Sequence, residues 1–269
     1  MNEAAKLFDL TGKVAIVTGG GSGLGRVFAE ALAEFGADVS IVDVDEGGAR
    51  ETATIIENLG RKALVIRGDV ANFDDVRHMA ERTFEQLGRI DILVNNAGIS
   101  CRPAKVADLP VEEWDRVMEV NLKGAFLCTK VVLPYLVKQK KGSIINIASI
   151  LGLRSVFQVS ELMPIPPYNV SKAGLIALTK ETAVEYAREG IRVNCIAPGW
   201  HRGTKLTARW KGEWGEEELK EYETMIKAIT PLGRRGELGE LKGLVVFLAS
   251  EASRFITGQV IPSDGGIIT

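Results

Sequence analysis

Short continuous runs of Val, Ile and Ala punctuate the chain, and between them apolar residues return every three or four positions on otherwise polar segments. Runs of the first kind read as strands buried on both faces, and the periodic segments as helices that lay one stripe on such a sheet. The expected strands are Val14 to Thr18, Asp38 to Val42, Ala63 to Arg67, Ile92 to Asn95, Ser143 to Ala148, Arg192 to Ala197 and Gln259 to Pro262. Their alternation with helices predicts an α/β fold, a doubly wound parallel sheet of about seven strands with helices on both faces. One helix is expected from Leu238 to Ser250, where Leu241, Leu244, Val245 and Leu248 share a face. Another starts at Pro166-Pro167, runs apolar-periodic through Ala173, Leu175, Ile176, Leu178 and Ala183, and stops at Gly190. No repeat or linker breaks the order, so residues 1–269 are expected as a single domain. Thr204 to Thr230 departs from the pattern, being rich in Glu and Lys around Trp210 and Trp214. It reads either as a solvated amphipathic helix pair or as a substrate lid over 200–230.

Composition narrows the partners. A net charge of −2 with no run of like charge leaves no basic footprint for nucleic acid or an acidic membrane, so a small molecule is the expected partner. Met1 to Leu10 is polar, and no apolar run approaches the roughly 18 residues of a membrane span, so a cytoplasmic protein is expected. Cys101, Cys128 and Cys195 are odd in number and far apart, which fits buried structural thiols and neither a disulfide framework nor a metal site. His78 and His201 lie near no hydrolase motif, so histidine is not expected at the centre of the chemistry.

The most informative stretch is Thr18-Gly19-Gly20-Gly21-Ser22-Gly23-Leu24-Gly25, set where the first strand turns into a helix. Glycines there allow a tight turn and close approach to phosphate, and the free amides and dipole of the helix start receive its charge. By itself the cluster also reads as a plain loop. Asp43 ends the second strand twenty residues after Gly23, where an acid can accept hydrogen bonds from an adenosine ribose. That points to NAD, because a 2′-phosphate about 4 Å away would meet like charge costing about 4 kcal/mol at an effective dielectric near 20. The other reading of Asp43 is a turn residue. Asn95-Asn96-Ala97-Gly98 ends the fourth strand, where small and amide side chains can wall a cofactor and tie neighbouring strands. Tyr168 and Lys172, four apart, share a helix face. A phenol titrates near 10, and lowering it by two units takes about 2.7 kcal/mol. An ammonium about 4 Å away supplies that, so Lys172 is expected to make Tyr168 a proton carrier near neutral pH.

In this order, together with Asp69, Val120-Asn121-Leu122-Lys123-Gly124, Ser149, Asn194 to Gly199, Ile256-Thr257-Gly258-Gln259 and Asp264-Gly265-Gly266, these motifs resemble the short-chain dehydrogenase/reductase family from Leu7 to Gly266. The resemblance implies a Rossmann-type fold, a homotetramer, and hydride transfer between a carbinol carbon and a nicotinamide cofactor, with NAD favoured over NADP by Asp43. It implies a catalytic set of Asn121, Ser149, Tyr168 and Lys172. Tyr168 would carry the hydroxyl proton, Ser149 would hydrogen-bond the substrate oxygen, Lys172 would hold the ribose hydroxyls, and Asn121 would position a water beside Lys172. The implied cofactor contacts are Gly19, Ser22, Gly23, Leu24, Gly25, Asp43, Asp69, Val70, Asn95, Ala97, Gly98, Tyr168, Lys172, Pro198 and Gly199. Asp69 would meet the adenine edge and Val70 its face, with Pro198-Gly199 on the nicotinamide side. A helix cap for Asp69 and a turn for Pro198-Gly199 are the other readings.

Two departures bear on the substrate. Ser149 to Tyr168 is longer than the family's usual spacing, with Ser160 to Pro167 as the excess, and reads either as loop drift or as a substrate wall. Trp200 to Thr204 makes the approach to the usual threonine one residue longer, so Thr204 is left out of the cofactor set. The insertion and the opening Leu7 to Lys13 are similar to sugar-acid members resembling gluconate dehydrogenases. A sugar acid, polyol or related polyhydroxy compound is therefore the expected substrate, with Arg102, Arg154 and Arg202 either meeting a carboxylate or lying on the surface. A 3-oxoacyl carrier-protein reductase is the second enzyme reading. A nucleotide-sensing or scaffold protein without turnover is the reading of another class.

Overall fold

The computed structural model describes residues 2–156, 161, 163–204, 206 and 215–269. Seven parallel strands form one sheet in the order β3-β2-β1-β4-β5-β6-β7. They are β1 (Val14–Thr18), β2 (Asp38–Asp43), β3 (Ala63–Arg67), β4 (Ile92–Asn95), β5 (Gly142–Ile147), β6 (Ile191–Pro198) and β7 (Val260–Ser263). All seven expected strands form, with ends moved by at most one residue. The chain winds outward from β1 to β3 and then returns to place β4 on the other side of β1. That reversal splits the connecting loops apart and opens a crevice beyond the carboxyl ends of the strands.

Helices cover both faces. A short α1 (Glu3–Lys6) precedes the sheet; α2 (Gly23–Glu34), α3 (Glu46–Asn58) and α4 (Phe73–Leu87) follow the first three strands. After β4 come α5 (Val111–Met118) and α6 (Gly124–Gln139), then α7 (Pro166–Tyr186), α8 (Glu216–Ile229) and α9 (Lys242–Ala249). Phe28 and Leu32 of α2 and Val245 and Leu248 of α9 pack on one face of the sheet. Met79 of α4 and Cys128, Val132 and Leu136 of α6 pack on the other. Pro166 opens α7 with a residue whose missing N–H costs nothing there, and Gly190 at φ 76° closes the turn after it. The helix expected from Leu238 begins instead as a 3-10 turn, Leu238–Leu241, and becomes α-helical at Lys242. Such tightening of a first turn is a common way to satisfy end groups.

Contrary to the expectation of no such run, the segment Val111–Gln139 is long and apolar enough to cross a membrane by length and composition. Half of its most apolar window is buried in the protein, so its hydropathy is that of a core helix. The three cysteines are buried and free, and burial pushes the thiols of Cys101, Cys128 and Cys195 up to about 11, 12 and 11. They behave as structural thiols.

Asn95 works beneath the crevice. Its Nδ2 donates to Asn146 Oδ1 at 2.8 Å and Thr129 Oγ1 at 3.0 Å, and Asn146 Nδ2 donates to Thr179 Oγ1 at 2.9 Å. This buried chain joins β4, β5, α6 and α7. Asn95→Ala leaves the carbonyl of Asn146 without that donor, and we expect the unfolding free energy to fall by about 1–3 kcal/mol. A denaturant midpoint that does not move would contradict this assignment.

Candidate active site

The loop after β1 is built around backbone that only glycine adopts at low cost. Gly19 and Gly23 have φ of 63° and 53°. A Cβ on Gly25 would lie 2.0 Å from the Gly19 carbonyl oxygen, and one on Gly19 would lie 2.9 Å from Ala97 Cα. The start of α2 therefore presses against the loop, which in turn presses against the end of β4. Asn96 fixes this contact by donating to the carbonyls of Thr18 at 2.9 Å and Gly19 at 3.1 Å. Ser22, the residue capping α2, makes no side-chain bond to the helix, and no acid stands in the first turn. The amides there remain available to an anion, and the arrangement fits a dinucleotide pyrophosphate.

A cavity of ≈ 580 Å³ runs along this edge. Gly19, Ser22, Gly23, Leu24, Asp43, Asp69, Val70, Ala97, Gly98, Pro198 and Gly199 line it together with Ser149, Tyr168 and Lys172. Three of the residues expected in the site lie behind the wall instead. Gly25 is the packing contact described above, Asn95 is the strand tie, and Asn121 lies one layer below. Asp43 accepts from the backbone of Gly21 at 2.8 Å and of Asp45 at 2.9 Å, so its carboxylate is held still at the rim. Asp69 accepts from Ala71 N at 2.9 Å, a turn bond that leaves it in the cavity wall.

Tyr168, Ser149 and Lys172 are each buried at the centre of the cavity. Lys172 Nζ donates to the carbonyl of Ile147, the last residue of β5, at 2.7 Å and lies 5.7 Å from the centre of the Tyr168 ring. Burial draws the ammonium down to about 8. Burial also pushes the Tyr168 phenol up to about 12, against a hydrogen bond with Ser149 that works the other way. The expected lowering of Tyr168 by Lys172 is thus absent here. Desolvation outweighs an ammonium held to a carbonyl.

Asn121 sits in a π-helical turn, Glu119–Lys123, between α5 and α6. Its amide accepts from Ile99 N at 2.8 Å and donates to Ile99 O at 2.9 Å and Ser171 Oγ at 3.1 Å. Ser171 Oγ donates to the carbonyl of Tyr168 at 2.8 Å. Asn121 therefore ties the loop after β4 to the turn of α7 that carries the tyrosine. A widened helical turn gives it room to do so.

The family model described as Enoyl-(Acyl carrier protein) reductase matches residues 19–268. The chain belongs to the short-chain dehydrogenase/reductase family. It is 40% identical to the 2-dehydro-3-deoxy-D-gluconate 5-dehydrogenase of Bacillus subtilis, with 96% of each chain covered. It is 38% identical to the 3-oxoacyl-(acyl-carrier-protein) reductase FabG of Thermotoga maritima, over 96% of this chain and 99% of that one. Its fold matches the solved gluconate 5-dehydrogenase of Burkholderia cenocepacia J2315, a complex with NADP and tartrate, with a TM-score of 0.88, 35% identity and 98% of each chain covered. The dehydrogenase/reductase family binds a nicotinamide cofactor, and the glycine loop and amide-rich helix start suit one.

In this dehydrogenase/reductase chain, the cavity also holds residues that the sequence did not assign to the site. His201, Tyr222 and Arg235 all line it. Arg102, Arg154 and Arg202, the cations expected near a carboxylate, are exposed and do not. Of the inserted stretch, Met163 and Ile165 are buried and line the cavity, which favours the substrate-wall reading. Ser160 and Leu162, like Trp210 and Trp214, lie outside the described residues. Within the 200–230 stretch, α8 turns Tyr222 and Ile226 into the apolar cluster around Tyr168.

The buried ammonium gives a pH signature. Lys172 sheds its proton near 8 when folded, whereas an ordinary lysine holds it to about 10.4. Between those values the unfolded chain binds more protons, so stability contributed through Lys172 rises with pH. We expect the melting temperature of the cofactor-free protein, relative to Lys172→Met, to climb from pH 8 to pH 10. A constant difference across that range would refute a buried, depressed ammonium.

Proposed function

We propose that the protein is an NAD-dependent oxidoreductase that interconverts a secondary alcohol and a ketone, with a sugar acid, polyol or related polyhydroxy compound as substrate. The observation that carries this reading is the convergence of Ser149, Tyr168 and Lys172 in one cavity whose other end is the glycine loop and Asp43. When bound, a nicotinamide supplies the hydride acceptor or donor. Ser149 holds the substrate oxygen, and Tyr168 gives it a proton in reduction or takes one in oxidation. A phenol kept protonated by burial starts ready for the reductive direction. In oxidation the cofactor's positive charge and Lys172 would together have to favour the phenolate. Asn121 positions this group through Ser171 and the backbone of Tyr168.

The NAD preference rests on Asp43 and on Arg26. The guanidinium of Arg26 donates to Gly21 O at 2.7 Å, to Glu51 at 2.7 Å and to Thr52 Oγ1 at 3.1 Å, so it is already committed where a 2′-phosphate would need a cation. The sugar-acid reading draws support from the names of the two gluconate-related relatives. The homotetramer belongs to the same proposal: Phe126 of α6 and Val170 and Val184 of α7 are exposed apolar residues on the helices that would pair.

Tyr168→Phe is expected to keep NAD binding by fluorescence titration and to lose at least about a hundredfold in kcat, the lower range for a general acid-base group. Normal turnover by the variant would refute the proton-carrier role. NADPH-linked thioester reduction by the wild type would favour the 3-oxoacyl reductase reading, and NAD binding without any turnover the sensing one. Asp43→Ala is expected to raise the kcat/KM ratio for NADP over NAD at least about tenfold, equivalent to about 1.4 kcal/mol. An unchanged ratio would remove Asp43 from cofactor choice.

A further inference from the structure

The substrate end of the cavity combines one fixed cation with a mostly apolar wall. Arg235 follows α8 in the chain and lines the cavity, with its side chain 13% exposed. Glu223 of α8, which does not line the cavity, takes Nη1 at 2.6 Å, and the carbonyl of His201 takes Nη2 at 2.8 Å. Its Nε is buried and has no hydrogen-bond partner. Two bonds thus hold the guanidinium in place and engage two of the five N–H bonds the group carries. The support is rigid as well. His201 and Gly236 form a parallel bridge, and a Cβ on Gly236 would lie 2.6 Å from the imidazole, so glycine there lets the ring come close to the backbone. Burial lowers the His201 imidazole below its usual range, which leaves Arg235 as the cation of this corner at neutral pH.

Ile99, Leu151, Met163, Ile165, Trp200 and Leu206 line the same cavity and form one apolar cluster with Tyr168 and Tyr222. Tyr222 adds an aromatic face, and its hydroxyl is engaged by the Trp200 side chain. A polyhydroxy body placed here would exchange water for carbon at most of its hydroxyls, and each polar group buried without a partner is costly. A hydrocarbon body would gain from the same wall.

We propose that Arg235 is a specificity-determining residue that binds a carboxylate of the substrate, and that the body of this hydroxy or oxo acid is predominantly apolar, as in an alicyclic hydroxy acid. The proposal rests on the oxidoreductase reading for the identity of the site, and it keeps the acid of the proposed substrate while replacing its polyhydroxy body with an apolar one. A guanidinium fork already anchored on one side presents a preorganised partner to a carboxylate, at little further cost in side-chain order. The carboxylate sits at the far end of the cavity from the cofactor loop, and the reacting carbinol lies between it and the nicotinamide, beside Tyr168 and Ser149.

Calorimetric titration of the NAD-saturated protein with cyclohexanecarboxylate, cyclohexylmethanol and D-gluconate tests both halves. It reads binding alone, so a failure of Tyr168 as proton carrier shows in turnover and leaves this measurement untouched. We expect cyclohexanecarboxylate to bind at least tenfold more tightly than either other compound. In Arg235→Met that advantage over cyclohexylmethanol should disappear, while NAD affinity stays at the wild-type value; Arg235→Lys should restore part of it. Equal binding of the acid and the alcohol by the wild type, no binding of the acid, or an unaltered Arg235→Met would overturn the carboxylate assignment. Tighter binding of D-gluconate than of cyclohexanecarboxylate would overturn the apolar body and return the site to a polyhydroxy acid.

Discussion

An ammonium buried against the last carbonyl of a parallel strand organises the centre of this molecule. Lys172 reaches from α7 to Ile147 at the end of β5, and in doing so sets the height of α7 relative to the sheet edge. Tyr168, one turn earlier on the same helix face, is thereby brought beside Ser149, two residues beyond the end of β5. The carbonyl accepts one of the three ammonium protons and offsets only part of the desolvation, so the charge remains costly. A residue kept at such a cost is the kind that marks a working site. The rest of the floor serves the same geometry: Asn121 ties the first turn of α7 to the loop after β4, and Gly98 lies close to both, with room for no more than a Cβ contact at 3.4 Å from Asn121 Oδ1 and Lys172 Nζ.

The fold was legible because a parallel sheet is buried on both faces. Continuous Val and Ile runs have few other uses in a chain of this length, and the strands β1 to β7 came out at the expected places for that reason. The glycine loop, Asp43 and the Tyr168–Lys172 pair stood out for a different reason, since each is a local signal of fixed spacing at the end of a strand or on one helix face, whereas Ser149 rested on the family resemblance. Asn95 carried an ambiguous signal. An amide at a strand end can meet a ligand or cross-link its neighbours, and only the packing of β4 against β5 and α6 shows which of the two it does.

Electrostatics and the substrate wall were not legible in the same way. Counting the distance from Lys172 to Tyr168 along a helix captures attraction between the pair but nothing of the water that both have lost, and the desolvation of Tyr168 is the larger effect. Arg235, His201 and Tyr222 carry no motif. They meet because β6 continues past Pro198 into a bridge with Gly236 while α8 folds back toward Tyr168, so residues separated by more than a dozen positions share one corner. The arginines chosen from the sequence lay close to Ser149 or to a strand end along the chain, but proximity along the chain does not decide which side of a loop faces a cavity.

The two ends of the cavity are built by different means, and this explains how one scaffold serves many substrates. The cofactor end is made of backbone: strand termini, glycines and a helix start, positioned by the sheet itself and therefore tolerant of little change. The substrate end is made of side chains from the stretch before α7, from α8 and from the turn that follows it, none of which pairs into the sheet. Replacing those side chains alters size, polarity and charge without disturbing the hydrogen bonds that hold Tyr168 and Lys172. A family likeness of about forty per cent identity can consequently specify the reaction while leaving the substrate to a handful of positions. In this chain those positions carry hydrocarbon and one anchored guanidinium, and they constrain the substrate more tightly than the names of related enzymes do.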